Sequence, residues 1–188
     1  QAGGNIGTGF RAPAFNDLYF PDDGYGNKGN PNLQPEKSLN REVFVRYRQD
    51  GLQAGLTLFR NRVSNLIEWA PVDPNDTWGP WQPSNVGRAM LRGASLQASW
   101  QGEVFSFGGN YDWLDARDIS GGDNDGKQLT YRARQSGALH AGVKLGDWQL
   151  RSELKLVGKR YTNTTNTERV AGYGLVNLAA NWQFARDW

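Results

Sequence analysis

The stretch "WQLRSELKLVGKRYT", Trp148–Thr162, decides the fold. Its even positions are Trp148, Leu150, Ser152, Leu154, Leu156 and Gly158; its odd positions are Gln149, Arg151, Glu153, Lys155, Val157 and Lys159. Successive strand side chains point to opposite faces, so an extended backbone gives this segment one greasy face and one charged face. The preceding stretch, "YRARQSGALHAGVKL" (Tyr131–Leu145), alternates in the same way. Ala133, Gly137, Leu139, Ala141, Val143 and Leu145 share one face, and Arg132, Arg134, Ser136, His140 and Lys144 share the other. Only Gly146 and Asp147 separate the two stretches, which is the length of a two-residue hairpin turn.

The pattern repeats outward along the chain. Residues 103–116 set Phe105, Phe107, Tyr111 and Trp113 against Ser106, Asn110 and Asp112. Residues 85–101 set Ala94, Leu96, Ala98 and Trp100 against Gly93, Ser95, Gln97 and Ser99, and residues 173–184 set Val176, Leu178, Ala180, Trp182 and Phe184 against Asn177, Asn181 and Gln183. Residues 52–69 alternate as far as Leu58 and then drift out of phase, as a bulge would cause. Residues 38–49 are noisier, with Arg41 and Phe44 on the wrong faces, and a short strand at 2–9 comes first. The expected strands are therefore 2–9, 38–49, 52–69, 85–101, 103–116, 131–145, 148–162 and 173–184. Short turns at "QDG", "QGE" and "LGDW" alternate with long polar segments at Phe10–Lys37, Ala70–Ser84, Arg117–Thr130 and Asn163–Gly172.

Long strands with tight turns at one end and long loops at the other describe an all-β chain, a transmembrane antiparallel β-barrel of the outer-membrane type. This architecture also accounts for the composition. Mean hydropathy is −0.69, yet aromatic residues reach 12% and include eight Trp. A lipid-facing surface needs no buried core behind it, and Trp69, Trp100, Trp113, Trp148 and Trp182 near strand ends read as interfacial girdles. The competing soluble β-sandwich fits poorly, because the expected strands far exceed the usual soluble length of about 5–6 residues.

Other classes are excluded more simply. A net charge of +2 from scattered basic residues gives no nucleic-acid footprint. The absence of Cys removes disulfide frameworks and thiolate metal sites. No apolar run reaches the roughly 18 residues of a transmembrane helix. The opening "QAGGNIGTGF" carries no signal-peptide pattern, so an exported protein would hold this sequence as an internal piece. The single His, His140, has no nucleophile at motif spacing, and "GGDNDGK" (Gly121–Lys127) lacks the later carboxylate of a calcium loop. The sequence therefore points to no enzyme, no metal and no cofactor.

Several stretches together resemble the TonB-dependent outer-membrane receptors: "GTGFRAP" (Gly7–Pro13), "GNPNLQPEKS" (Gly29–Ser38), "FRNRVSNLIEW" (Phe59–Trp69), "NVGRAMLRGASLQASW" (Asn85–Trp100) and "YDWLDARD" (Tyr111–Asp118). Within that family, "DARD", "YRARQ" and "GKRYTN" look most like the cobalamin (vitamin B12) receptors, while siderophore receptors share the loop signature. The resemblance implies a Gram-negative outer-membrane receptor with a 22-stranded barrel closed by an N-terminal plug. Residues 1–188 would be a partial barrel domain supplying the thirteenth to twentieth strands, with plug and energy-coupling box outside this fragment. It implies TonB-driven uptake of cobalamin, or alternatively of a ferric siderophore, with TonB, plug, membrane lipid and lipopolysaccharide as partners. An independent eight-stranded barrel is the rival architecture; Trp188 mimics a C-terminal outer-membrane aromatic, whereas "ARDW" reads as a turn into a further strand.

On this resemblance the ligand is expected at Tyr19, Phe20, Tyr25, Trp78 and Trp81 in the long loops, and at Tyr131 and Arg132 where a strand begins. The cobalamin receptors carry Arg where Tyr131 stands, a departure at that contact. Arg132, Arg134, His140, Lys144, Arg151, Lys155 and Lys159 form a basic lumenal wall expected to seat the plug. In "GNPNLQPEKS" the two prolines fix φ and push Asn30 and Gln34 towards extended backbone. The stretch is expected to be a rigid rim, with Glu36 and Lys37 in water.

Overall fold

A computed structural model describes residues 1–73, 76, 78–85 and 87–184. The "ARDW" and Trp188 readings lie outside the described residues. The chain forms β1 (Ala2–Arg11), a short helix α1 (Phe15–Tyr19), β2 (Glu36–Gln49), β3 (Leu52–Ser64), β4 (Ile67–Pro71), β5 (Trp81–Asn85) and β6 (Arg88–Gln101). It continues with β7 (Phe105–Asp118), β8 (Gln135–Leu145), β9 (Trp148–Val157), β10 (Arg160–Tyr161), β11 (Arg169–Val170) and β12 (Tyr173–Trp182). Eight of these strands make one antiparallel sheet in the order β1-β2-β3-β6-β7-β8-β9-β12. Strands β1 and β12 are its two edges, so the sheet is an open arc. The remaining strands pair as small hairpins, β4 with β5 and β10 with β11, within the long connections.

The tight turns follow from their residues. Asp50 (φ 47°) and Gly51 (φ 77°) both take positive φ, which is the type I′ geometry favoured by Asp-Gly. Gly146 (φ 59°) alone is positive in the second turn, as type II′ requires. All long connections leave from the opposite ends of the strands.

Register separates two faces. Leu145, Val143, Ala141 and Leu139 stand opposite Trp148, Leu150, Ser152 and Leu154 on an apolar face. Phe107, Gly109 and Tyr111 continue that face to Trp100, Ala98 and Leu96, and then to Leu52, Ala54 and Leu56. Nothing among the described residues covers it: Leu178 is 80% exposed and Leu139 60%. Near the tight turns its aromatics stack, Trp148 on Trp182 at 5.6 Å and Trp100 on Phe107 at 6.2 Å. The opposite face carries Lys144, Arg151, His140, Glu153 and Lys155 across β8 and β9.

Several expected boundaries shift, each for a physical reason. No bulge interrupts β3, because its register with β2 and β6 runs unbroken from Leu52 to Ser64. The apparent phase drift is a change of residue character: Arg60 and Arg62 extend the apolar face while Phe59 and Val63 extend the polar one. Likewise Phe44 stays on the polar face because Gly3 opposite leaves room; a Cβ on Gly3 would fall 2.6 Å from Phe44 Cζ. Asn65 (φ 56°) then ends β3, and the chain peels away as β4. Strand β8 begins at Gln135 rather than at residue 131, since Tyr131 sits at φ 56° in a turn. Strand β9 ends at Val157, and Arg160–Tyr161 leaves the sheet to pair with Arg169–Val170. The short helix α1 was not expected from the sequence.

Inward packing concentrates at the loop end. Leu66, Ala89, Ala116 and Leu129 are buried together, with Val63, Leu91 and Leu114 packed against them. Residues 63, 89, 91, 114 and 116 all belong to the polar face, so that face turns apolar just where loops fold over it.

Candidate functional site

The loop end is held together by side chains that reach across long sequence distances. Asp17 is 7% exposed and accepts from three groups: Trp69 Nε1 at 3.0 Å, the Ala14 backbone N–H at 3.0 Å and Arg11 Nη2 at 3.3 Å. Trp69 is therefore a loop anchor rather than an interfacial girdle, and its ring meets Phe20 edge-on at 5.6 Å. Arg11 also donates to Glu36 Oε1 at 3.1 Å, and the same oxygen accepts the Ile67 N–H at 2.9 Å. Glu36 is thus buried at a junction of β1, β2 and β4 instead of standing in water.

The stretch Gly29–Ser38 fastens the first long loop to the β4–β5 hairpin. Asn30 Nδ2 donates to the Pro83 carbonyl at 3.1 Å, and its Oδ1 accepts the Asn32 N–H at 3.0 Å. The Gln34 N–H donates to Asn85 Oδ1 at 2.9 Å, and Asn85 Nδ2 returns a bond to the Gln34 carbonyl at 3.0 Å. Leu33 is buried between them in sequence. The prolines set the direction, and the polar side chains do the fastening.

Further loops join the same assembly. Thr130 Oγ1 donates to Glu68 Oε1, linking β4 to the loop that follows β7. Burial pushes the Glu68 carboxyl above its usual value, against the opposing Thr130 bond and the nearby Arg132 charge. Arg132 Nε is buried without a hydrogen-bond partner among the described residues. Asn166 Oδ1 accepts the Gln128 N–H at 2.7 Å, and its Nδ2 donates to the Gln128 carbonyl at 2.9 Å. Such interlocking makes a preformed rim rather than a set of loose loops.

The residues expected to meet a ligand divide on this rim. Tyr19 (58%), Tyr25 (84%), Trp78 (99%) and Tyr131 (54%) are exposed. Phe20 and Trp81 are half-buried: Phe20 packs on Trp69, and the Trp81 N–H bonds Asn27 Oδ1 at 2.6 Å. Tyr131 lies in a turn and Arg132 just after it, neither at the start of a strand.

The basic wall is smaller than its sequence pattern implies. His140, Lys144, Arg151 and Lys155 do share the polar face, with Glu153 opposite His140 and bonded by Asn177 Nδ2 at 3.0 Å. Arg132 and Arg134 leave it, because β8 starts after them. Arg134 Nη2 instead reaches Asp115 Oδ1 at 3.4 Å, on the apolar face of β7. Lys159 follows the end of β9. The sequence reading missed Asp17, Glu68 and Asp115 altogether. Alternation could have exposed Asp115, since it and Arg117 follow Tyr111 and Trp113 at steps of two.

Long antiparallel strands in a meander, uncovered and apolar on one face and polar on the other, define a segment of a transmembrane β-barrel wall. The chain belongs to the family described as "TonB dependent receptor-like, beta-barrel", which matches residues 3–188. It is 37% identical over 178 residues to the vitamin B12 transporter BtuB of Photobacterium profundum, covering 95% of this chain and 28% of that protein. It is 33% identical over 179 residues to the vitamin B12 transporter BtuB of Vibrio vulnificus, covering 95% and 27%. Among solved structures, the copper transporter OprC superposes with a TM-score of 0.76 at 20% identity, over 97% of this chain and 29% of that one. That last likeness is one of fold. The chain spans little more than a quarter of the length of these relatives.

Proposed function

We propose that these residues form part of the barrel wall and ligand-facing rim of a receptor that takes up cobalamin across the outer membrane of a Gram-negative bacterium. The observation that carries this reading is the 37% identity over 95% of the chain to a protein named as a vitamin B12 transporter. The rim supports it physically. Exposed Tyr19, Tyr25, Trp78 and Tyr131 offer flat surfaces to a large ring-bearing ligand, on loops already fastened to one another.

The role is binding and passage rather than catalysis. The polar face, with Lys144, Arg151 and Lys155, is the side on which a plug would sit, and counter-charges on that plug would pair with it. Energy from TonB reaches the receptor through parts of the protein outside these residues. The apolar face meets the membrane lipid.

Equilibrium binding to the full-length receptor tests the substrate. Saturable binding of cobalamin, with no competition from ferric chelates, is expected. Binding of a ferric chelate in its place would overturn the assignment and favour a siderophore receptor.

A further inference from the structure

The rim is built in two halves. The first long loop is fastened to the β4–β5 hairpin by Asp17 with Trp69, Asn30 with Pro83 and Gln34 with Asn85. The loop after β7 is fastened to the β10–β11 hairpin by Gln128 with Asn166, and by the Tyr131 N–H on the Tyr161 carbonyl at 2.8 Å. Among the described residues, hydrogen bonding between these two halves is confined to one place, Glu68 with Thr130. Their sequence neighbours Leu66 and Leu129 share the small buried cluster. Loops tied firmly within each half and thinly between them move along that seam.

The seam holds two complementary charges that do not meet. Arg132 Nε is buried without a hydrogen-bond partner, and no ion pair joins Arg132 to Glu68 among the described residues, although its charge acts on that carboxylate. The charged groups facing Glu68 are Arg132 and Asp118, and Asp118 Oδ1 already accepts the Ser120 N–H at 2.7 Å. A buried guanidinium N–H without an acceptor and a buried carboxylate without an ion pair are both costly. One small movement of the seam relieves both.

The backbone couples this pair to the exposed surface. Tyr131 takes φ 56°, a conformation that a residue other than Gly adopts at a cost. Its ring is exposed, while Thr130 on one side reaches Glu68 and Arg132 on the other buries its Nε. Gln128 Nε2 holds the Arg132 carbonyl at 2.6 Å, so the three residues move together. Tyr19, Tyr25 and Trp78 belong to one half and Tyr131 to the other. A ligand resting on both halves binds the closed seam better than the open one, and so favours closure.

The geometry points to an ionic latch across the rim: closure on a ligand brings Arg132 against Glu68, and the new ion pair slows the ligand's release. The latch rests on the reading of this rim as the ligand-facing surface of a cobalamin receptor, and adds the regulation of that surface. In the free rim an ionised Glu68 is a buried charge without an ion pair, and it loosens the segment. In the loaded rim the same charge holds Arg132.

Dissociation of cobalamin from the full-length receptor at neutral pH tests the latch. E68Q and R132Q are each expected to speed release about tenfold, within the usual range of such couplings. E68Q/R132Q should be no faster than either alone, because all three variants remove the same pair. R132K keeps the charge and should restore most of the slow release. Wild-type release by E68Q, or single effects that multiply to about a hundredfold in the double variant, would show Arg132 acting apart from Glu68 and overturn the latch. Amide exchange at residues 128–132 gives a second readout that a merely structural role would not produce. E68Q should slow exchange in the free receptor and speed it in the cobalamin-loaded one; a change of one sign in both states would also overturn the latch. A receptor that ignored cobalamin but released a ferric catecholate according to the same cycle would keep the latch and overturn only the substrate.

Discussion

Asp17 and Trp69 are separated by two strands in sequence, yet Trp69 Nε1 donates to Asp17 Oδ1 at 3.0 Å. This bond fastens the first long loop to the β4–β5 hairpin. The other Asp17 oxygen accepts from Arg11 and from the Ala14 N–H, so one buried carboxylate orients a strand end, a helix start and a hairpin. Removing this buried acceptor costs most at Trp69, whose half-buried indole N–H loses its partner, and least at Arg11, which is exposed and keeps Glu36.

Asp17→Ala should therefore loosen the rim without dissolving the sheet. Orphaning a buried donor costs on the order of 1–3 kcal/mol, and the half-buried Trp69 N–H sets the cost here, since water reaches Arg11 and Ala14. Hydrogen exchange is expected to speed up at residues 14–20 and 67–71, while amides of β6 and β7 keep their protection. Uniform exchange across the wild-type and variant rims would show that the bond holds nothing.

Glu68 gives the rim a pH dependence. Burial raises its folded pKa above the usual Glu value of about 4.3. The stabilising contribution is therefore fully present below the unfolded value and is lost as the pH rises through the raised folded value. Glu68→Gln keeps an oxygen to accept from Thr130 Oγ1 and removes the titration. Exchange protection of residues 128–131 in wild type should fall from pH 4 to neutrality, while the variant stays flat. Parallel profiles would refute this account.

Leu129 tests the small core under the loops. It is 4% exposed and packs with Leu66, Ala89 and Ala116. Truncating a buried Leu to Ala costs about 2–5 kcal/mol, with the lower end expected where loops can settle inward. Leu129→Ala should expose the chain after β7 to limited proteolysis while the receptor still folds in detergent. Resistance equal to wild type would mean that the hydrogen bonds alone close the rim.

Alternation made the sheet legible because membrane-facing strands need one uniformly apolar face, as Trp148–Val157 shows. It failed where the surroundings of a face change along one strand. Arg60 and Arg62 looked like a register slip, but the pleat continues unbroken and only the character of the residues changes. Loop structure was less legible for another reason. Asp17 and Glu36 are polar in sequence yet buried, and Glu68 is half-buried, because their partners lie far along the chain at Trp69, Ile67 and Thr130. Nothing local marks a carboxylate whose donors arrive from another loop. The stretch "GNPNLQPEKS" shows both sides: its prolines announced a stiff rim, while the Gln34–Asn85 pair that anchors it was invisible.

Trp78 separates rim architecture from ligand capture. It is 99% exposed, and it is tied to the loop through its backbone, from its N–H to Asp76 Oδ1 at 3.1 Å. Among the described residues the indole therefore supports nothing in the rim, unlike Trp69. A large exposed aromatic with no packing duty is suited to covering a ring-bearing ligand, and such anchors are typically worth more than about 1 kcal/mol when truncated. Trp78→Ala should weaken cobalamin binding to the full-length receptor by at least about fivefold, with rim exchange unchanged. Trp69→Ala should also weaken binding, but only as a consequence of first loosening the rim. Equal cobalamin affinity for wild type and Trp78→Ala would remove the indole from the proposed binding surface.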